Sequence, residues 1–173
     1  MTQLQIFNGA LAALANDRYL SSTDSTFAEG VHLRREWDAA RRMVLAAAEW
    51  GWLVEQTPYC DSVDPSTGKT VVPRPDGVLR IIGIVDRDGR ALKARAANGM
   101  FHVDADGKPV AVRYLPDLDE PETWPFYITD AVIFTLAARV ALPFKRDVNL
   151  AQALMNESLR AIIRAKSIDA SEA

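Results

Sequence analysis

The run Ser66-Thr67-Gly68-Lys69-Thr70 is the first stretch in this 173-residue chain that could do chemistry. A phosphate-binding loop wraps phosphate oxygens in backbone N–H groups and lays a lysine across them. It needs a glycine five residues before the Gly-Lys pair, a buried strand before it and a helix after it. Val63 stands at that glycine position, and the strand and turn residues Val71, Val72 and Pro73 follow. Asp64-Pro65-Ser66-Thr67-Gly68 therefore reads as a hairpin turn.

The other reactive side chains are as sparse. His32 and Glu36 lie one helical turn apart, but no second histidine joins them to make a zinc site. His102, between Phe101 and Val103, reads as an outward position on a strand. Cys60 is the single cysteine, so it forms neither an internal disulfide nor a cysteine-based zinc cluster. A nucleophile triad built from Cys60 and either histidine lacks any supporting motif such as Gly-x-Ser-x-Gly. Asp117, Asp119, Glu120 and Glu122 could pair for glycoside hydrolysis or metal binding. Their spacing matches no calcium loop, and an acidic connector accounts for them. The expectation is a protein with no catalytic residues, no metal and no cofactor.

Arg34, Arg35, Arg41 and Arg42 form two basic pairs seven residues apart, on one side of an expected helix. Glu36 and Asp38 lie among them and weaken any field they create. A solvated, salt-bridged face is one reading. A subunit contact or a channel-facing patch near DNA phosphates is the other. Trp37, Trp50, Trp52 and Trp124 are either core residues or anchors of such a contact.

Composition sets the frame for these residues. Apolar types make up 49% and charged types 25%, which excludes a wholly disordered chain. A chain this long buries roughly 70% of its unfolded surface. The net charge of −3 argues against a sequence-reading DNA binder, although an assembled ring can still carry a basic face. The N-terminal residues have no basic stretch or small-residue cleavage site, so no secretory signal is expected. The apolar residues 128–144 include Asp130, Arg139 and Pro143, and read as a buried helix rather than a membrane span.

Helical spacing predicts a helix over residues 3–16. A second is expected from a Thr26/Glu29 capping box to about Trp50, with Val31, Trp37, Ala40 and Val44 inward and Gly51 as its left-handed stop. Residues 78–85 read as a strand. Asp88-Gly89, Asn98-Gly99 and Asp106-Gly107 then punctuate an antiparallel meander. Pro125 opens a central helix, apolar nearly all round, that Pro143 ends, and Asp147 caps a last helix from Val148. The expected fold is α+β: an antiparallel bundle of about four helices with a small inserted antiparallel β lobe. One domain spans 1–173, with helical parts 1–51 and 123–168, a β insertion 52–116 and a flexible tail 167–173.

The order of these pieces resembles a known family. Phe7-Asn8-Gly9-Ala10-Leu11, a polar link, and a long helix closing on Leu45-Ala46-Ala47-Ala48-Glu49-Trp50-Gly51-Trp52 are similar to the start of phage head–tail adaptors of the tail tubular protein A type. Residues 53–59 and the Asp64–Gly68 turn follow in the same order. So do Pro75-Asp76-Gly77-Val78-Leu79-Arg80-Ile81 and the Trp124-Pro125-Phe126 entry into a helix with Leu136-Ala137-Ala138-Arg139. The match is one of layout and spaced hydrophobics over most of the chain.

The resemblance implies a virion structural protein, made in the bacterial cytoplasm and placed at the head–tail junction. It implies a ring, commonly of twelve copies, between the portal protein and the next tail or nozzle protein. Packaged DNA would pass through it without sequence recognition, and no membrane is involved. The rival expectation is a small-molecule-binding or regulatory α+β domain.

Overall fold

Thr2 opens the first helix of the computed structural model, which describes residues 1–172. Its hydroxyl accepts from the Gln5 N–H while the Gln5 side chain accepts from the Thr2 N–H, a reciprocal cap at the start of α1 (Gln3–Ala13). Three longer helices follow among the described residues: α2 (Ala28–Leu45), α3 (Phe126–Lys145) and α4 (Val148–Glu172). The chain divides into two compact units, residues 1–51 with 118–173, and residues 52–117.

In the helical unit α3 is central, packing against α1, α2 and α4. Its Ile128, Val132, Leu136 and Val140 are buried to within 1% of full coverage. α3 is long and apolar enough to cross a membrane, but most of it is covered by protein, as in a buried core helix. Phe7 meets Trp37 edge-on at 5.7 Å, and Trp37 stacks on Trp124 at 5.8 Å. Trp50 is completely buried, and its Nε1 donates to the carbonyls of Val44 and Leu45 at 3.2 and 3.0 Å. The indole N–H thus donates to carbonyls of the last turn of α2, which has no left-handed glycine to close it. Between α3 and α4 the buried hydroxyls of Thr135 and Ser158 meet at 2.7 Å.

Several expected boundaries move. α2 starts after Phe27, which makes no side-chain cap, and Glu29 instead pairs with Arg18 at 3.5 Å. It stops at Leu45, five residues short of Trp50, and Gly51 is not left-handed. α3 continues two residues past Pro143, because a proline near a helix end breaks few backbone bonds. Arg146 then turns left-handed, and the Asp147 carboxylate accepts from the Leu150 N–H, capping α4 as its position predicts. The tail expected to be flexible over 167–173 is helical through Glu172, and Ala173 lies outside the described residues. Tyr127 Oη reaches Asp169 and Glu172 at 3.2 and 3.3 Å, tying that end of α4 to α3.

The expected small β lobe is the main correction to the fold. Residues 52–117 form a unit of their own with seven strands in two antiparallel sheets. These are β1 (Glu55–Gln56), β2 (Thr70–Pro73), β3 (Val78–Asp86), β4 (Ala91–Leu92), β5 (Ala94–Ala97), β6 (Met100–Val103) and β7 (Val110–Pro116). One sheet runs β1-β7-β3-β4 and the other β2-β6-β5.

Asn98-Gly99, both at positive φ, joins β5 to β6 as a tight hairpin. Asp106-Gly107 does not join paired strands: β6 pairs with β2, while β7 returns to β3 in the other sheet. A single meander would leave one apolar face of every strand in water. Two sheets instead bury Val72 and Val103 from one side against Ile84, Val110 and Val112 from the other.

Candidate subunit interface

The four arginines singled out by sequence do not act as one patch. Arg34 Nη1 donates to the carbonyls of Thr23 and Ser25 at 2.5 and 2.8 Å, holding the loop before α2. Arg41 is only 3% exposed and pairs with Asp38 at 3.0 Å and Asp119 at 3.1 Å, while also donating to the Leu118 carbonyl. A guanidinium enters a core only when paired and hydrogen-bonded in this way. Arg35 and Arg42 remain on the exposed side of α2.

Phe27, Val31, Arg35, Asp38 and Arg42 recur at helical spacing and share that outward face, with Phe27 55% and Val31 47% exposed. Val31 was expected among the inward residues. The inward stripe is instead Leu33, Trp37, Ala40 and Val44. Trp37, Trp50 and Trp124 are buried, which removes them as anchors of an outside contact.

A second exposed region lies where α3 begins beside the end of α4. Phe126, 67% exposed, Asp130 one turn later and Arg164 of α4, which is paired with Glu157, rim a shallow groove floored by Ala161, Ala165 and Ile168. Apolar periodicity along α3 hid this, since the helix is apolar nearly all round and Asp130 is its one sequence mark of an uncovered turn here. On α4, Leu159 and Ile163 are also exposed, beside a cluster in which Arg164 and Arg160 hold the Glu157 carboxyl below its ordinary pKa.

The chemically suggestive residues are accounted for locally. Asp64 accepts from the Ser66 N–H, the Ser66 hydroxyl and the Thr67 hydroxyl at 2.9, 2.7 and 3.0 Å, and Gly68 has a φ of +68°. These bonds hold the Asp64 carboxyl below its ordinary pKa of 3.8, with His102 adding a smaller pull from 3.7 Å. The Gly68-Lys69 run is thus a self-contained turn between strand residues, and Lys69 pairs with Asp104 at 3.0 Å. Because the folded pKa is depressed, the turn's contribution to stability is present above pH 3.8 and lost as pH falls through the folded value. Asp64→Asn is expected to flatten the acid limb of β-unit unfolding below that pH. Matched acid titrations followed by near-UV circular dichroism would detect the change.

His32 stands on α2 with Glu36 committed elsewhere, to Arg139 at 2.9 Å. Among the described residues no group of three or more His, Cys, Asp or Glu could hold a metal. Burial and the carboxylates of Asp169 and Glu172 push the Tyr127 hydroxyl well above its ordinary pKa, which keeps it a hydrogen-bond donor. Two other depressions are shallow, one between Arg74, Asp76, Gly77 and Gly99, another between Asp86, Arg87, Arg90 and Lys108. Comparison with models of protein families and with curated proteins finds no match for this chain.

Proposed function

We propose that this chain is a structural subunit of a phage head–tail connector, an adaptor ring below the portal that joins the DNA-filled head to the tail and surrounds the DNA channel. The observation that carries the proposal is the distribution of exposed apolar surface. Among the described residues, the large hydrophobics that stand exposed, other than Tyr59 and Val63, belong to the helical unit. They include Phe27 just before α2, Val31 on α2, Phe126 on α3, and Val148, Leu159 and Ile163 on α4. Each of these helices already has a core face, so the apolar residues left exposed on it are available to other protein surfaces.

The layout resemblance supports placing that assembly at a phage neck. In this reading the protein does no chemistry, takes no cofactor, and works in the virion after synthesis in the host cytoplasm. Arg35 and Arg42 are its candidate contact residues, while Arg34 and Arg41 hold the subunit's own fold together. Cross-linking mass spectrometry on purified tailed particles tests the proposal. Cross-links from this chain to portal and tail peptides are expected, and intact particles lacking its peptides would refute it.

A further inference from the structure

We infer that copies of this chain associate head to tail, with the outward face of α2 on one copy seated against the α3–α4 groove of the next. The inference rests on the connector reading for the ring that such contacts would close, and on the helical unit for the two faces.

The faces are complementary in kind and spacing. On α2 the exposed Val31 is followed one turn later by exposed Arg35; on α3 the exposed Phe126 is followed one turn later by exposed Asp130. Neither Arg35 nor Asp130 has a hydrogen-bond or ion-pair partner among the described residues. Each face therefore offers an apolar anchor about 6 Å from an unmatched charge, at 1.5 Å rise per residue, and the charges are opposite.

The faces also point in different directions. Arg139 leaves α3 toward α2, where it meets Glu36. Asp130 precedes it by nine residues, about two and a half turns, so Asp130 leaves α3 on the opposite side from α2. The outward face of α2 in turn points away from α3, since Leu33, Trp37, Ala40 and Val44 fill the inward side. Two unlike, complementary patches on opposite sides of one unit make a heterologous contact. Such a contact propagates from copy to copy and closes as a ring when the rotation permits, whereas a two-fold dimer needs one patch that matches itself.

The test is a charge swap on the full-length protein, read by sedimentation at concentrations up to the millimolar range. Arg35→Glu and Asp130→Lys alone are each expected to weaken self-association at least about tenfold, as loss of a close interfacial charge pair does. The double variant R35E/D130K is expected to restore it. Both positions are exposed, so folding is retained, and circular dichroism verifies that. A disulfide between Val31→Cys and Phe126→Cys in a Cys60→Ser background, forming between copies, is the second expected result. A chain that stays monomeric throughout, association untouched by the single reversals, or a double variant no better than the singles would overturn the inference. Neck location of the protein together with a failed swap would remove this contact and leave the connector reading standing. A rescued swap in a protein absent from particle necks would do the reverse.

Discussion

Trp50→Ala is expected to destabilise the helical unit by about 3–5 kcal/mol, the range for emptying a core aromatic site. Trp50 is fully buried, and its ring N–H serves the final carbonyls of α2 at Val44 and Leu45. Removing it opens a cavity and takes the indole donor from the Leu45 and Val44 carbonyls, of which Val44 keeps the Ala47 N–H, at the point where α2 stops without a left-handed glycine. Trp50→Phe fills most of the cavity but cannot donate, so its cost separates packing from the bond and falls between wild type and alanine. Denaturant unfolding with hydrogen exchange would read both effects. The fastest new exchange should appear at the end of α2, and a loss under about 1 kcal/mol for the alanine variant would contradict the packing described.

Thr135→Val is expected to cost about 1–3 kcal/mol, because it strips the partner from the buried Ser158 hydroxyl. Thr135 also donates to the Ala131 carbonyl at 2.7 Å, so its hydroxyl ties a turn of α3 to α4. Ser158→Ala alone should cost less, since Thr135 keeps its bond within α3. The double variant should be less harmful than the two single costs added together, because no orphaned hydroxyl remains. Strict additivity in thermal or denaturant melts would mean that the two hydroxyls do not share a bond.

How much was legible in the sequence varies with how local the cause is. The Asp64–Gly68 turn follows from side chains that bond their own neighbours, and Asp147 caps α4 for the same reason. The four helices were visible as apolar periodicities. Their ends were not, because tertiary partners set them: Trp50 finishes α2, and Tyr127 holds the end of α4 that seemed bound to fray.

The β unit was misjudged as a small meander because three Asx-Gly turns look alike in sequence. Only the packing of Val72 and Val103 against Ile84 and Val112 sends β6 and β7 into different sheets. The arginines carry the same lesson. Arg35 and Arg41 share a residue type and a helix, yet one is exposed and the other buried, because Asp119 arrives from a distant segment to meet Arg41. Phe126 was indistinguishable from its buried neighbours on α3 until the helices were assembled around it.

The proposed connector role is most directly tested by immunogold electron microscopy of particles from the source culture, with antibody raised against this chain. The expected result is label at the junction of head and tail. Intact tailed particles without label, with the protein present in the lysate and its epitopes accessible in opened particles, would contradict the role.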